Sequence, residues 1–202
     1  MSGVPILVHA ERVVALVVGG GAVGARKALS LLESGATVRV VAPTFAPALR
    51  AAAAEPGLTL VERAFSAADL ADADLVFAAT GDAAVNRAVA DAARALHRLV
   101  TVADSPEAGT FGGMAVHRAG EVVVGVSAGG VPGAALRIRD AIAGLVGPAF
   151  GEAVAALAAL RARMLGGGER ARWREASAAL AGPTFCDDVR AGRLASRVGE
   201  WR

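Results

Sequence analysis

The sequence predicts an α/β fold, a doubly wound parallel sheet of Rossmann type followed by a small hairpin segment and a helical C-terminal region. Three observations carry the prediction. Val13–Val18 is a short continuous apolar run, as a strand buried on both faces requires. Gly19, Gly21 and Gly24 follow it in the spacing G-x-G-x-x-G and open a segment of helical periodicity. Apolar runs of strand length then alternate with helical ones as far as Val102, which implies right-handed crossovers between parallel strands.

The elements follow in order. Val23–Ser34 has helical spacing, with Ala28, Leu31 and Leu32 on one side, and Gly35 ends it. Thr37–Ala42 reads as the second strand, closed by Pro43. Ala46–Glu55 reads as helix and Leu58–Val61 as strand. Leu75–Ala79 is the next strand, Ala83–Leu96 the next helix and Leu99–Val102 the last parallel strand. After Asp104 the pattern changes. Met114–His117 and Val122–Val126 are strands separated by Arg118-Ala119-Gly120-Glu121, a hairpin signal. From Pro132 onward the chain reads as helix, broken at Gly147-Pro148, Gly166-Gly167-Gly168 and Gly182-Pro183. The expected organisation is a nucleotide-binding domain over 1–112, a hairpin-plus-helix segment over 113–146 and a helical domain over 147–202.

The glycine turn has a physical reading at each position. Gly19 permits the tight turn, Gly21 lets backbone approach a pyrophosphate, and Gly24 lets helix and strand pack closely. The helix start at Ala22 and Val23 then offers free N–H groups and the positive dipole end to phosphate. A carboxylate about 20 residues on usually binds the ribose 2′-hydroxyl in NAD sites. Here that region reads Val41-Ala42-Pro43-Thr44, with no acid before Glu55. Thr44 is a candidate ribose contact, and Arg39 is a candidate for a 2′-phosphate unless its place inside the strand turns it away. The residues alone leave NAD and NADP open.

Composition narrows the classes. The hydrophobic fraction of 54% supports a sizeable core, and no apolar run reaches the ~18 residues that span a bilayer. The N-terminus lacks a signal-peptide pattern, and the single Cys186 excludes an internal disulfide framework, so a cytoplasmic location is expected. Lys27 is the only lysine; from Arg161 to Arg202 nine Arg face five acidic residues, a solvated basic face. No aromatic-interleaved basic strand accompanies it, so nucleic acid is not an expected partner. His9, His97 and His117 are far apart and lack ligand spacing, which excludes a preformed zinc site, and no Walker lysine follows the glycine turn.

Longer runs carry a resemblance. Pro5-Ile6-Leu7, Val17-Val18-Gly19-Gly20-Gly21-Ala22-Val23-Gly24-Ala25-Arg26-Lys27-Ala28 and Gly35-Ala36-Thr37-Val38-Arg39-Val40-Val41-Ala42-Pro43 come first. Ala78-Ala79-Thr80-Gly81-Asp82 with Val85-Asn86 follows, then Asp104 with Phe111, then Val126-Ser127-Ala128-Gly129-Gly130 with Arg137. Leu160-Arg161-Ala162-Arg163, Glu169-Arg170 and Arg172-Trp173 complete the series. In this order the chain resembles the precorrin-2 dehydrogenase family and the N-terminal half of the fused sirohaem synthases, over nearly its whole length.

The resemblance implies an oxidoreductase with NAD as cofactor, which oxidises precorrin-2 to sirohydrochlorin, and a ferrochelatase (a lyase) that inserts Fe2+ to complete sirohaem, a step of porphyrin biosynthesis. It implies a cofactor site of Gly19, Gly21, Ala22, Val23, Gly24, Pro43, Thr44 and Thr80. It implies a tetrapyrrole site of Ser127, Gly129, Gly130 and Arg137, and a homodimer joined through 113–146. Asp104 follows the last parallel strand, where open α/β sheets bind ligands, and is the candidate base and a transient Fe2+ contact. An Asp-Ser-Pro turn is the structural alternative for it. Asn86 reads equally as a contact near the cofactor or as an exposed helix residue. The chain departs from the family pattern at Thr101, Met114 and Val131-Pro132-Gly133. Two other functions fit the same residues: a dehydrogenase without chelatase activity, and an NAD-sensing regulatory module that needs neither Asp104 nor the Ser127–Gly130 turn.

Overall fold

A computed structural model describes residues 3–201; the ends of the two outer expected segments, residues 1, 2 and 202, lie outside the described residues. The chain divides into two compact units between Gly112 and Gly113.

The first unit is a five-stranded parallel sheet in the order β3-β2-β1-β4-β5. The strands are β1 (Val14–Val18), β2 (Thr37–Ala42), β3 (Leu58–Glu62), β4 (Leu75–Ala78) and β5 (Leu99–Val102). The helices are α1 (Ala22–Glu33), α2 (Pro47–Ala51) and α3 (Ala83–Ala95). The central strands are almost wholly apolar because both faces are covered. Ala15, Val17, Val38, Val40 and Phe77 pack on Ala25 and Ala28 of α1. Leu16, Val18, Val76, Val100 and Val102 point the other way, onto Val89, Ala90 and Ala93 of α3. The chain builds outward from β1 to β2 and β3, then crosses to β4 on the opposite side of β1. The gap between the carboxyl ends of β1 and β4 is therefore the switch point where such sheets bind ligands.

Two elements differ from the sequence reading. The helix expected over Ala46–Glu55 is only Pro47–Ala51. A turn at Ala52–Glu55 ends it, and Gly57, at φ 87°, leads straight into β3. Arg39 turns away from any cofactor, correcting its candidacy for a 2′-phosphate. Its guanidinium hydrogen-bonds the Asp72 carboxylate at 3.1 Å and the Asp69 carbonyl at 2.7 Å. The hydrogen bond to Asp72 raises the Arg39 pKa above its ordinary value. Arg63 donates to buried Asp69 at 2.8 Å and holds that carboxyl below the usual carboxylate range. These pairs pin the crossover between β3 and β4, a short 3₁₀ turn at Ala67–Leu70 boxed by Ser66 and Asp69.

The second unit contains the antiparallel hairpin β6 (Ala115–Ala119) and β7 (Val122–Val126). The loop is Gly120-Glu121, two residues where the sequence suggests four, because Arg118 and Ala119 pair with Val123 and Val122. Met114 lies over Gly125 so closely that a Cβ there would sit 2.8 Å from its sulfur. Five helices follow: α4 (Pro132–Ala143), α5 (Pro148–Gly166), α6 (Arg170–Leu180), α7 (Phe185–Arg190) and α8 (Leu194–Gly199). Phe150, Leu160, Met164, Leu180, Leu194 and Val198 belong to the core shared by α5 to α8, and Val122 of the hairpin packs against it, while α4 lies on the hairpin. Buried Asp188 ties α7 to α8 by accepting from Arg193 at 2.9 Å. Among the described residues no single helix is long and apolar enough to cross a membrane.

The tightest point of the first unit is the glycine turn, and it generates a stability test. A Cβ on Gly24 would overlap the Gly19 carbonyl oxygen, whereas one on Gly21 would meet open space. Gly24→Ala should cost about 3 kcal/mol, the upper end of the usual overpacking penalty. That lowers Tm by roughly 6–12 °C for a chain of this size. Gly21→Ala should stay within about 1 kcal/mol, the scale of a changed N-cap. Thermal unfolding of the two variants checks the contrast; equal stability would contradict it.

Candidate active site

The carboxyl edge of the parallel sheet gathers the predicted residues of the first unit. Gly19 follows β1, Pro43 and Thr44 follow β2, Thr80 lies two residues beyond β4, and Asp104 lies two residues beyond β5. The glycine turn is held there by backbone packing. Gly19, at φ 124°, would drive a Cβ into the Ala79 carbonyl, and Gly20 would drive one into the Thr44 carbonyl. The Ala46 N–H donates to the Gly20 carbonyl at 2.7 Å and the Gly19 N–H to the Val41 carbonyl at 3.0 Å. Gly20, outside the G-x-G-x-x-G spacing, is thus as constrained as Gly19 and Gly24. Its only signal in the sequence is the unbroken triplet Gly19-Gly20-Gly21.

Gly21 is the exposed N-cap of α1 and supplies no capping side chain. The N–H groups of Ala22, Val23 and Gly24 have no acceptor within the helix, as in any first turn. At α3 the same need is met internally: Asp82 accepts from the Ala84 N–H at 2.8 Å and the Val85 N–H at 3.3 Å. The contrast matters, because an uncapped first turn with open space at Gly21 fits a phosphate, and a self-capped one does not. Pro43 and Thr44 are exposed at the neighbouring strand end, where a ribose would follow. A shallow cleft lined by Val23, Lys27, Phe77, Ala79, Thr101 and Ala103 adjoins the turn. Lys27, its one cation, has no ion-pair partner among the described residues.

Asp104 is exposed, yet one of its oxygens is tethered. Asn86 Nδ2 donates to Asp104 Oδ1 at 2.9 Å and to the Thr80 carbonyl at 3.2 Å. Asn86 Oδ1 accepts from the Thr80 N–H at 3.0 Å and lies 2.8 Å from the Thr80 hydroxyl. Asn86 itself is 1% exposed, which corrects the reading of it as an exposed helix residue. Periodicity puts it on the buried face with Val89, Ala90 and Ala93, and a buried amide needs partners. The Thr80 side chain is likewise engaged with Asn86 and Asp82.

Ser127, Gly129, Gly130 and Arg137 belong to the second unit. Ser127 is exposed just past β7. Gly129 and Gly130 take φ 57° and 84°, and the Val131 N–H closes the turn onto the Ala128 carbonyl at 2.9 Å. Two successive positive φ values mark a primed turn that favours this glycine pair. Arg137 is exposed on α4 without an ion-pair partner among the described residues, whereas Arg139 pairs with Asp140. No group of three or more His, Cys, Asp or Glu side chains that could hold a metal ion occurs among the described residues.

The siroheme synthase of Methylobacillus flagellatus is 38% identical over 162 residues, covering 80% of this chain and 35% of that protein. The siroheme synthase of Salmonella arizonae is 37% identical over 180 residues, covering 87% of this chain and 39% of that protein. The chain therefore spans little more than a third of the length of the curated relatives it matches. Among solved structures, SirC, a precorrin-2 dehydrogenase, shares the fold with a TM-score of 0.78 over 98% of both chains, at 21% identity. The family model described as "Putative NAD(P)-binding" matches residues 6–113, which include the glycine turn, Thr80 and Asp104. That match takes in more than half of the sequence, and the chain belongs to this NAD(P)-binding family.

Proposed function

We propose that the chain oxidises precorrin-2 to sirohydrochlorin with NAD and then inserts Fe2+ to give sirohaem. One observation carries the reading: an exposed carboxylate, Asp104, stands tethered at the same sheet edge as an uncapped glycine turn. The similarity to siroheme synthases and the fold shared with SirC support the substrate.

Bound NAD+ supplies the hydride acceptor. The chain supplies binding and proton transfer. The first-turn N–H groups of Ala22, Val23 and Gly24 take the pyrophosphate across the open face of Gly21, and Pro43 and Thr44 border the ribose. Arg39 is committed to Asp72 and the Asp69 carbonyl, which favours NAD over a cofactor with a 2′-phosphate. Asp104 accepts the proton that leaves the macrocycle as the hydride departs. In the second step Fe2+ is a substrate, and Asp104, exposed to solvent, takes the two pyrrole N–H protons one at a time, releasing each to solvent, as the cation replaces them. Ser127, Gly129, Gly130 and Arg137 supply hydroxyl, backbone and guanidinium contacts for the tetrapyrrole carboxylates. The lone thiol of Cys186 suits a reducing, cytoplasmic setting.

We also infer a homodimer through the second unit. Val116 and Val123 on the outer face of the hairpin, and Val131, Leu136 and Ile138 at α4, are each 38–58% exposed, which supports a partner surface. Sedimentation at micromolar concentration should give a dimer; a monomer alone would contradict it.

Two variants separate the activities. Gly21→Asp puts a side chain and a negative charge where phosphate approaches, so NAD+ binding and oxidation should fall by at least ~100-fold, in line with several kcal/mol of lost binding. Iron insertion into supplied sirohydrochlorin should persist. Asp104→Ala should abolish oxidation and impair iron insertion while NAD+ still binds. Absorbance assays of both steps, with calorimetry for NAD+, check these outcomes. Absence of iron insertion in the unaltered protein would leave the dehydrogenase alone and direct attention to Thr101, Met114 and Val131.

A further inference from the structure

Asn86 is a polar side chain buried to 1% exposure in a helix whose other inward residues are apolar. Each of its four hydrogen-bonding sites faces a partner, the Thr80 hydroxyl sharing its one proton between Asn86 Oδ1 and the Asp82 carbonyl. Oδ1 faces the Thr80 N–H at 3.0 Å and the Thr80 hydroxyl at 2.8 Å; Nδ2 faces the Thr80 carbonyl at 3.2 Å and Asp104 Oδ1 at 2.9 Å. The Thr80 N–H can only donate and the Thr80 carbonyl can only accept, so they fix which end of the amide is which. The end presented to Asp104 is therefore always the donor. A second set of contacts locks the same group: the Asn86 N–H donates to the Asp82 carbonyl at 3.0 Å, and Asp82 caps the helix that carries it.

We propose that Asn86 is a positioning residue for the reaction: its amide, oriented by Thr80, holds one oxygen of Asp104 and leaves the other for the substrate proton. The proposal rests on the reading of Asp104 as proton acceptor. Among the described residues Asp104 Oδ2 has no hydrogen-bond partner and Asp104 has no ion pair, so Asn86 is the one side chain that restrains this exposed carboxylate. A carboxylate on a free loop would sample many rotamers; one hydrogen bond to a buried, fully satisfied amide selects among them, and orientation of this kind is worth large rate factors. Asn86 touches neither cofactor nor substrate in this scheme and acts through Asp104.

The geometry offers a substitution that separates positioning from support. Asn86→Asp keeps an acceptor for the Thr80 N–H and hydroxyl but puts a second carboxylate oxygen where the donor to Asp104 stood. Asp104 is then pushed off its place, and Thr80 loses the donor to its carbonyl but keeps the acceptor for its N–H. Thr80 also backs onto the glycine turn, since a Cβ on Gly19 would lie 2.9 Å from the Thr80 nitrogen. Loss of a merely structural Asn86 would therefore disturb the turn and weaken NAD+ binding, whereas loss of positioning would not.

The experiment measures kcat and KM for precorrin-2 oxidation, the calorimetric Kd of NAD+ and Tm, for Asn86→Asp, Asn86→Ser and Asp104→Ala in the full chain. The expected result for Asn86→Asp is a kcat lowered about 10- to 100-fold, the cost of misplacing a reacting group. KM for precorrin-2 and Kd for NAD+ should stay within about twofold, because the binding groups are untouched. If the aspartate variant does not fold, Asn86→Ser, which loses the amide donor and the contacts to Thr80, should show the same loss of kcat at saturating NAD+, whatever its Kd. Wild-type kcat in either folded variant, with Asp104→Ala inactive, overturns the positioning role and leaves Asp104 as the base. A weakened NAD+ Kd that accounts for the lost turnover overturns it in favour of a structural role. Full turnover in Asp104→Ala overturns the base assignment, and the positioning role with it.

Discussion

Backbone-on-backbone packing at the glycine turn is the constraint on which the rest of the first unit depends. Gly19, Gly20 and Gly24 lie where a Cβ would overlap the carbonyls of Ala79, Thr44 and Gly19. Three strand ends converge there because side chains are absent. β1 cannot draw close to the segments after β2 and β4 by any other means, and α1 cannot start so near β1 with a bulkier residue at position 24. Gly21 is different: its surroundings are open, so its small size plays no part in closing the fold. One short motif thus combines residues that fold the unit with a residue that keeps a face clear.

Much of this is legible in the sequence because strands buried on both faces leave a strong trace. A strand covered on both sides has no reason to alternate polar with apolar residues, and the runs read over Val13–Val18 and Leu75–Ala79 form the strands Val14–Val18 and Leu75–Ala78, buried almost throughout. The gathering of Gly19, Thr44, Thr80 and Asp104 at one edge also follows from reading each as a residue that succeeds a parallel strand. The elements that escape such a reading are those decided by contacts between distant residues. Helix α2 stops at Ala51 although Ala52, Ala53 and Ala54 are good helix formers, because the tight turn and Gly57 that follow must bring the chain into β3 beside β2. Arg39 reads from local pattern as a candidate for a 2′-phosphate unless its strand turns it away; only the crossover after β3 brings Asp72 and the Asp69 carbonyl to it. Gly20 lacks a period of its own, and its partner, the Thr44 carbonyl, is a backbone atom with no sequence signature.

The second unit teaches a related point. Ser127 and the two glycines that follow Ala128 admit both a turn reading and a ligand reading, and the positive φ values at Gly129 and Gly130 show that the turn reading is sufficient to account for the pair. In the proposed reading, the side-chain contacts at this end fall to Ser127 and Arg137, which the turn and α4 leave exposed. Met114 against Gly125 is a local exchange of volume: the long flexible side chain fills the space that the glycine leaves on the hairpin.

The saturated amide of Asn86 has an evolutionary consequence. A side chain with every donor and acceptor engaged cannot be exchanged singly without leaving a buried group unpaired, which costs about 1–3 kcal/mol before any loss of function. Positions 80 and 86 should therefore be inherited as one unit. In distant relatives a lineage that has abandoned the carboxylate at position 104 should still keep the amide, because the Thr80 N–H and carbonyl need it.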